Sequence, residues 1–274
     1  MSPAIGLAAH ARTHTTRVTA ALFRVFVFSW LVVGMAEVAA AQRGGPPAGP
    51  PPTPRASAPI DITGNWVSVV TEDWRWRMLT PRKGDYASVP LSVEGRKLAD
   101  SWDPAKAAAD GCKPYGAAAI MRIPGRLRIA WENDTTLKID TDAGQQTRRL
   151  VFDKAVTPSA ERSWQGHTAA DWERIPQPGG QGVSIQQAAP RVGSLKAVTT
   201  NLLPGYLRKN GVAYSEETTV TEYFDRLAVE GGDWLTVFTI VDDPRYLSQQ
   251  FITSTHFKRE ADAAAWNPTP CGGR

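Results

Sequence analysis

"RLRIAWENDTTLKIDTDAGQQTRRLVFD", residues 126–153, alternates apolar and polar residues through three short runs. Leu127, Ile129 and Trp131 stand against Arg126, Arg128 and Glu132. That period of two puts one set of side chains in a core and the other in water, as in a half-buried antiparallel strand. "ENDT" supplies turn chemistry, "TLKIDTD" pairs back, and "AGQQ" turns the chain again into "TRRLVFD". Two consecutive hairpins are therefore predicted, and the fold class follows from how far this pattern extends.

It extends both ways. Downstream, "SWQGHTAADWE", "GSLKAVTTN", "SEETTVTEYFDRL", "DWLTVFTIVDD" and "QFITSTHFKRE" are short segments bounded by Gly, Pro, Asn or Asp. Upstream, Gly64 opens a strand in "GNWVSVV", in which Trp66, Ser68 and Val70 alternate with Val67 and Val69. One segment breaks the pattern. In "SVEGRKLADSWD", Ser92 can cap a short helix with Leu98 and Trp102 four apart, ended by Asp103-Pro104. About nine strands and one short helix predict an all-β domain, an antiparallel up-and-down barrel or a strongly curved sandwich. Closure into a barrel would remove exposed strand edges.

The flanks read differently. Residues 1–41 have a signal-peptide pattern: Arg12, Arg17 and Arg24, the apolar run "VFVFSWLVVGMA", and an Ala39-Ala40-Ala41 cleavage site. The apolar run is shorter than the ~20 residues a membrane span needs, so no stable anchor is expected after cleavage. Residues 42–59, "QRGGPPAGPPPTPRASAP", read as a Pro/Gly-rich disordered linker, and residues 60–274 as a single β domain. Removing the first 41 residues lowers the net charge from +4 to +2 and leaves no basic run. Nucleic acid is accordingly excluded as a partner. The two cysteines, Cys112 and Cys271, permit one disulfide in an exported, periplasmic or extracellular chain. "RIPQPGGQGVSIQQAAPRV", residues 174–192, is a polar insertion between two strands.

"SWQGHTAADWE", "GSLKAVTTN", "YLRKNGVAYSEETTVTEYF" and "TIVDDPRYL", within residues 160–257, resemble a group of uncharacterised secreted bacterial proteins. "CKPYGAAAIMRIP" is a weaker match upstream. The group implies secretion and brings no catalytic residues; the 174–192 insertion departs from its pattern. Gly64-Asn65-Trp66 is similar to the Gly-x-Trp start of lipocalin-type barrels, which implies a closed barrel.

Candidate chemistry is sparse. His167, Asp171 and Glu173 share one face of a strand, and Glu222 falls on one face with Tyr214, Glu216, Thr218 and Val220. His167 with Asp171 or Glu222 could serve a hydrolase or lyase. No nucleophile elbow accompanies them, and His256 could join His167 at a metal only if their strands met. No metal or cofactor is predicted. Asp242-Asp243-Pro244 reads as turn chemistry, with aspartate side chains bonded to nearby backbone N–H groups.

Aromatic content stands out more. Nine tryptophans follow residue 41. In "TEDWRWRMLT", residues 71–80, a strand would set Trp74, Trp76 and Met78 against Arg75 and Arg77 at a barrel mouth. Trp74, Trp76, Arg77, Trp131, Trp172, Tyr206 and Tyr214 are the expected ligand-binding residues. The expected function is an exported protein holding a small apolar or aromatic molecule in an aromatic-lined barrel cavity. A hydrolase and a ligand-free structural protein of the cell envelope are the rivals. Nothing in the sequence speaks to oligomeric state.

Overall fold

The computed structural model describes residues 49–107, 111–174 and 193–272. The signal-peptide pattern, residues 42–48 of the linker and residues 175–192 of the insertion lie outside that range. The compact unit that contains the β domain begins at Pro52.

Its strands, in chain order, are β1 (Gly64–Val69), β2 (Arg126–Asn133), β3 (Thr136–Thr141), β4 (Thr147–Val151), β5 (His167–Arg174), β6 (Gly193–Thr200), β7 (Gly205–Arg208), β8 (Val212–Tyr214), β9 (Thr219–Val229), β10 (Gly232–Asp242) and β11 (Phe251–Glu260). Nine of these, among the described residues, close into a barrel in the order β1-β11-β10-β9-β6-β5-β4-β3-β2. β1 closes it, pairing with β2 on one side and with β11 on the other. The fold is the all-β barrel of the two alternatives left open by the sequence.

Two departures from a plain meander matter. β4 and β5 pair in parallel, Leu150 opposite Thr168, because the long connection after Phe152 carries the chain back before β5 starts. β7 and β8 form a separate hairpin between β6 and β9.

Alternation decides what fills the barrel. Leu127 and Ile129, Leu137 and Ile139, Leu195, Phe224, Val237 and Phe257 point inward and are buried in one cluster with Trp66. These side chains fill the lumen at that level, in the space where the sequence placed a ligand cavity. The Trp66 indole N–H donates to the Ile62 carbonyl at 2.9 Å, which satisfies its one polar atom. The Arg259 guanidinium lies over its ring at 4.7 Å.

A second cluster covers one end. It joins Val220, Val241 and Phe251, at the ends of β9, β10 and β11, to Tyr86, Leu207 and Tyr214. Between the clusters runs a polar layer. Each strand steps from one apolar group to the other through it: Val220, Glu222, Phe224 on β9 and Val241, Thr239, Val237 on β10.

Among the described residues three short α-helices lie outside the barrel: α1 (Trp74–Arg77), α2 (Val93–Asp100) and α3 (Pro104–Ala107). α2 has the expected cap, with the Ser92 hydroxyl accepting from the Gly95 N–H at 3.0 Å. Its buried face carries Gly95 and Ala99, while Leu98 is 39% exposed.

α1 is a correction. "WRWR" is a helical turn, not strand, because Asp73 enters the left-handed region (φ 51°, ψ 24°) and breaks the extended run. The linker boundary also moves. Pro54 to Ser57 form a turn packed on the uncapped end of the barrel, where the Trp172 indole donates to the Pro54 carbonyl at 2.8 Å. Arg174 reaches the Ser57 carbonyl at 2.9 Å.

Candidate functional site

The capped end holds a cleft of about 260 Å³. Its walls are α1 with the Met78-Leu79-Thr80 segment after it, the Ala119–Pro124 stretch, and β7. Each wall contributes one arginine: Arg77, Arg122 and Arg208.

All three are deeply buried, at 8%, 6% and 4% exposure. The Arg77 Nε donates to the Arg122 carbonyl at 2.9 Å, and its Nη1 is paired with Glu72. Nη2 of Arg122 bonds to Asp73 at 2.9 Å, and this guanidinium lies over the Phe251 ring at 5.5 Å. Arg208 Nη1 donates to the Ala87 carbonyl at 2.7 Å. Its guanidinium stacks over the Trp76 ring at 4.7 Å, and among the described residues no carboxylate lies within hydrogen-bonding distance of it. Trp76 in turn donates to Asp85 at 3.2 Å, a carboxylate also bound by Arg75 at 2.6 Å.

Four guanidinium nitrogens remain buried without an acceptor: Nη2 of Arg77, Nη1 of Arg122, and Nε and Nη2 of Arg208. Burial lowers the Arg208 guanidinium to about 10, with the like charge of Arg122 the next cause. Burial also lowers Arg77; Glu72 opposes that effect and Arg122 adds to it. Both stay charged at neutral pH.

The seven expected ligand residues are not one site. Trp76 and Arg77 meet in the cleft, whereas Trp74 is 64% exposed on the outer side of α1. Trp131 and Trp172 sit at the opposite end of the barrel. There they pack on Phe152, with ring centroids 5.5 and 5.2 Å from it, and the Pro54 turn covers Trp172. Tyr206 and Tyr214 belong to the β7–β8 hairpin and line a second depression of about 290 Å³ with Trp102 and Lys113.

The candidate acid–base residues separate too. His167 and Asp171 face outward on β5, where Asp171 pairs with Lys154 at 3.3 Å. Glu222 faces the lumen and is bound by Arg148, so the barrel wall lies between it and His167. His256 is on β11, with at least three strands between it and β5 in either direction, and its Nδ1 meets Glu72 at 3.0 Å. Among the described residues no group of three or more His, Cys, Asp or Glu is placed to hold a metal ion.

Asp243 acts as the turn reading expects. It accepts from the backbone N–H groups of Ser215, Arg245 and Tyr246 and from the Thr218 hydroxyl. A disulfide joins Cys112 to Cys271.

Arg122 and Arg208 escaped the sequence reading. The available sign was a lone cation in an apolar run, "AAAIMRIP", because an arginine there must be buried with whatever partners the fold supplies. Family models, curated proteins and solved structures were compared with the chain, and none matches it. Function is therefore argued from the geometry of this cleft.

Proposed function

We propose that this is an exported binding protein that holds a small organic molecule noncovalently in the cleft beside Trp76. One observation carries the reading: a concave, mainly apolar site is built where the cap meets the barrel, with an aromatic ring and a few fixed polar groups. Its volume lies just below the range of roughly 300–1,000 Å³ common for small-molecule sites. The lumen does not compete for this role, since core side chains occupy it. Export is supported by the pattern of residues 1–41 and by the Cys112–Cys271 disulfide. No helix among the described residues is long and apolar enough to cross a membrane.

The filled barrel also favours a second reading, a ligand-free structural protein of the cell envelope. Native mass spectrometry of protein recovered from the envelope separates the two. A single excess mass, lost on denaturation, is the expected result. A clean apo mass, together with no thermal shift from small aromatic and aliphatic compounds, would leave the structural role.

A further inference from the structure

We infer that the cleft selects an organic monoanion, a compound whose apolar body lies along the cleft and whose single carboxylate sits among Arg77, Arg122 and Arg208. The inference rests on the binding role proposed above and names the class of ligand.

Unpaired donors are the first observation. Buried polar groups in folded proteins are almost always hydrogen-bonded, and a charged donor left without an acceptor costs more than a neutral one. Here four such nitrogens belong to three arginines on three separate chain segments around one cleft. One orphaned donor would be a local packing matter. Four on three arginines that line a single concavity leave that place with more buried donors than acceptors.

Charge gives the second. Four guanidinium groups face three carboxylates: Glu72 is on Arg77, Asp73 on Arg122 and Asp85 on Arg75. Arg208 hydrogen-bonds the Ala87 carbonyl and lies over the Trp76 ring, and feels Asp73 and Asp85 only at longer range. One positive charge is left over, and a monoanion balances it where a phosphate dianion would overshoot. Lys209 at the rim has interactions of its own, among them a position over the Tyr115 ring at 5.5 Å.

Shape supplies the third. A guanidinium presents its N–H groups as a planar fork that matches the two oxygens of a carboxylate. Leu207 and Ile123 on the walls, with the Trp76 ring, offer apolar surface to the remainder of the ligand.

Isothermal titration calorimetry on the disulfide-bonded protein tests this with 4-phenylbutyrate, its neutral amide 4-phenylbutyramide, and inorganic phosphate. We expect the acid to bind at least about tenfold more tightly than the amide, as hydrogen bonds to charged groups allow. Arg208→Gln should close that gap, and Arg208→Lys, which keeps the charge and loses the fork, should restore only part of it. Should Arg208→Gln fail to fold, the acid–amide comparison on the unaltered protein and the lysine variant still decide. Equal affinity for acid and amide overturns the inference and leaves the apolar-cleft role standing. Phosphate binding more tightly than the acid, and displacing it, overturns the assignment to a carboxylate. Absence of binding by both phenyl compounds overturns the inference and the binding role together.

Discussion

Arg148 on β4 and Glu222 on β9 meet inside the barrel in a two-pronged ion pair, at 3.0 and 2.5 Å, with neither side chain reaching the surface. Thr199 accepts a third hydrogen bond from Arg148 at 3.3 Å. The pair is the centre of the polar layer that separates the two apolar clusters. Glu222, a candidate acid on sequence grounds, is thereby committed to structure.

Removing one member should be far worse than removing both. Glu222→Ala leaves a buried guanidinium unpaired and should lose about 3–5 kcal/mol in urea unfolding. Replacing the pair by Arg148→Met with Glu222→Leu should recover most of that loss. A single substitution costing under about 1 kcal/mol would contradict the pair's role.

Gly95 should reverse an ordinary rule. In an exposed helix, glycine to alanine stabilises by about 1 kcal/mol. Within α2, a Cβ on Gly95 would lie 2.2 Å from the Tyr246 carbonyl oxygen, a backbone atom that cannot swing away. Gly95→Ala should therefore lower Tm, and a rise on thermal denaturation would show that α2 can slide off the β10–β11 connection.

Acid should act through Asp243. Burial alone would raise this carboxyl, but hydrogen bonds from Ser215, Tyr246, Thr218 and Arg245 hold it below its ordinary value near 3.8. With the folded-state pKa depressed, the carboxylate's contribution is complete above the ordinary value and is lost as pH falls through the folded one. Urea midpoints should fall with pH below about 4, and Asp243→Asn should lower the neutral-pH midpoint and flatten that slope. An unchanged slope in the variant would assign acid sensitivity elsewhere.

The Cys112–Cys271 bridge closes a loop with a sequence separation of 159. Loop-closure entropy places its contribution at up to about 5 kcal/mol. Replacing both cysteines by serine should lower the guanidinium midpoint, and added reductant should lower the midpoint of the unaltered protein to match. Identical midpoints with and without reductant would mean that the bridge contributes nothing.

Strands were legible because their periodicity is local. "RLRIAWE" shows its buried face within seven residues, and the β2 register bears it out, with Ile129 opposite Ile139. "WRWR" shows where that logic stops. Four alternating residues satisfy a strand equally well, and the helical turn is set by the left-handed Asp73 and by partners of Arg77 as distant as Arg122. The cleft was half legible for the same reason. Trp76 and Arg77 announce themselves in sequence, whereas Arg122 and Arg208 join them only through the packing of three separate segments. Likewise Glu222 is visibly inward on β9, but its partner Arg148 lies on β4, across the barrel in the strand order.

The seam of the barrel lies between the first strand and the last, Trp66 opposite Arg259. A chain made from its N-terminus therefore exposes β1 long before its partner on that side exists. Until Phe251–Glu260 appears, the preceding strands can form only an open, curved sheet with two bare edges, the state in which β proteins most readily pair with the wrong neighbour. Any truncation ahead of Phe251 would thus leave the whole barrel unsealed rather than merely shorten it, and the newborn chain has the same exposure until its last strand is released.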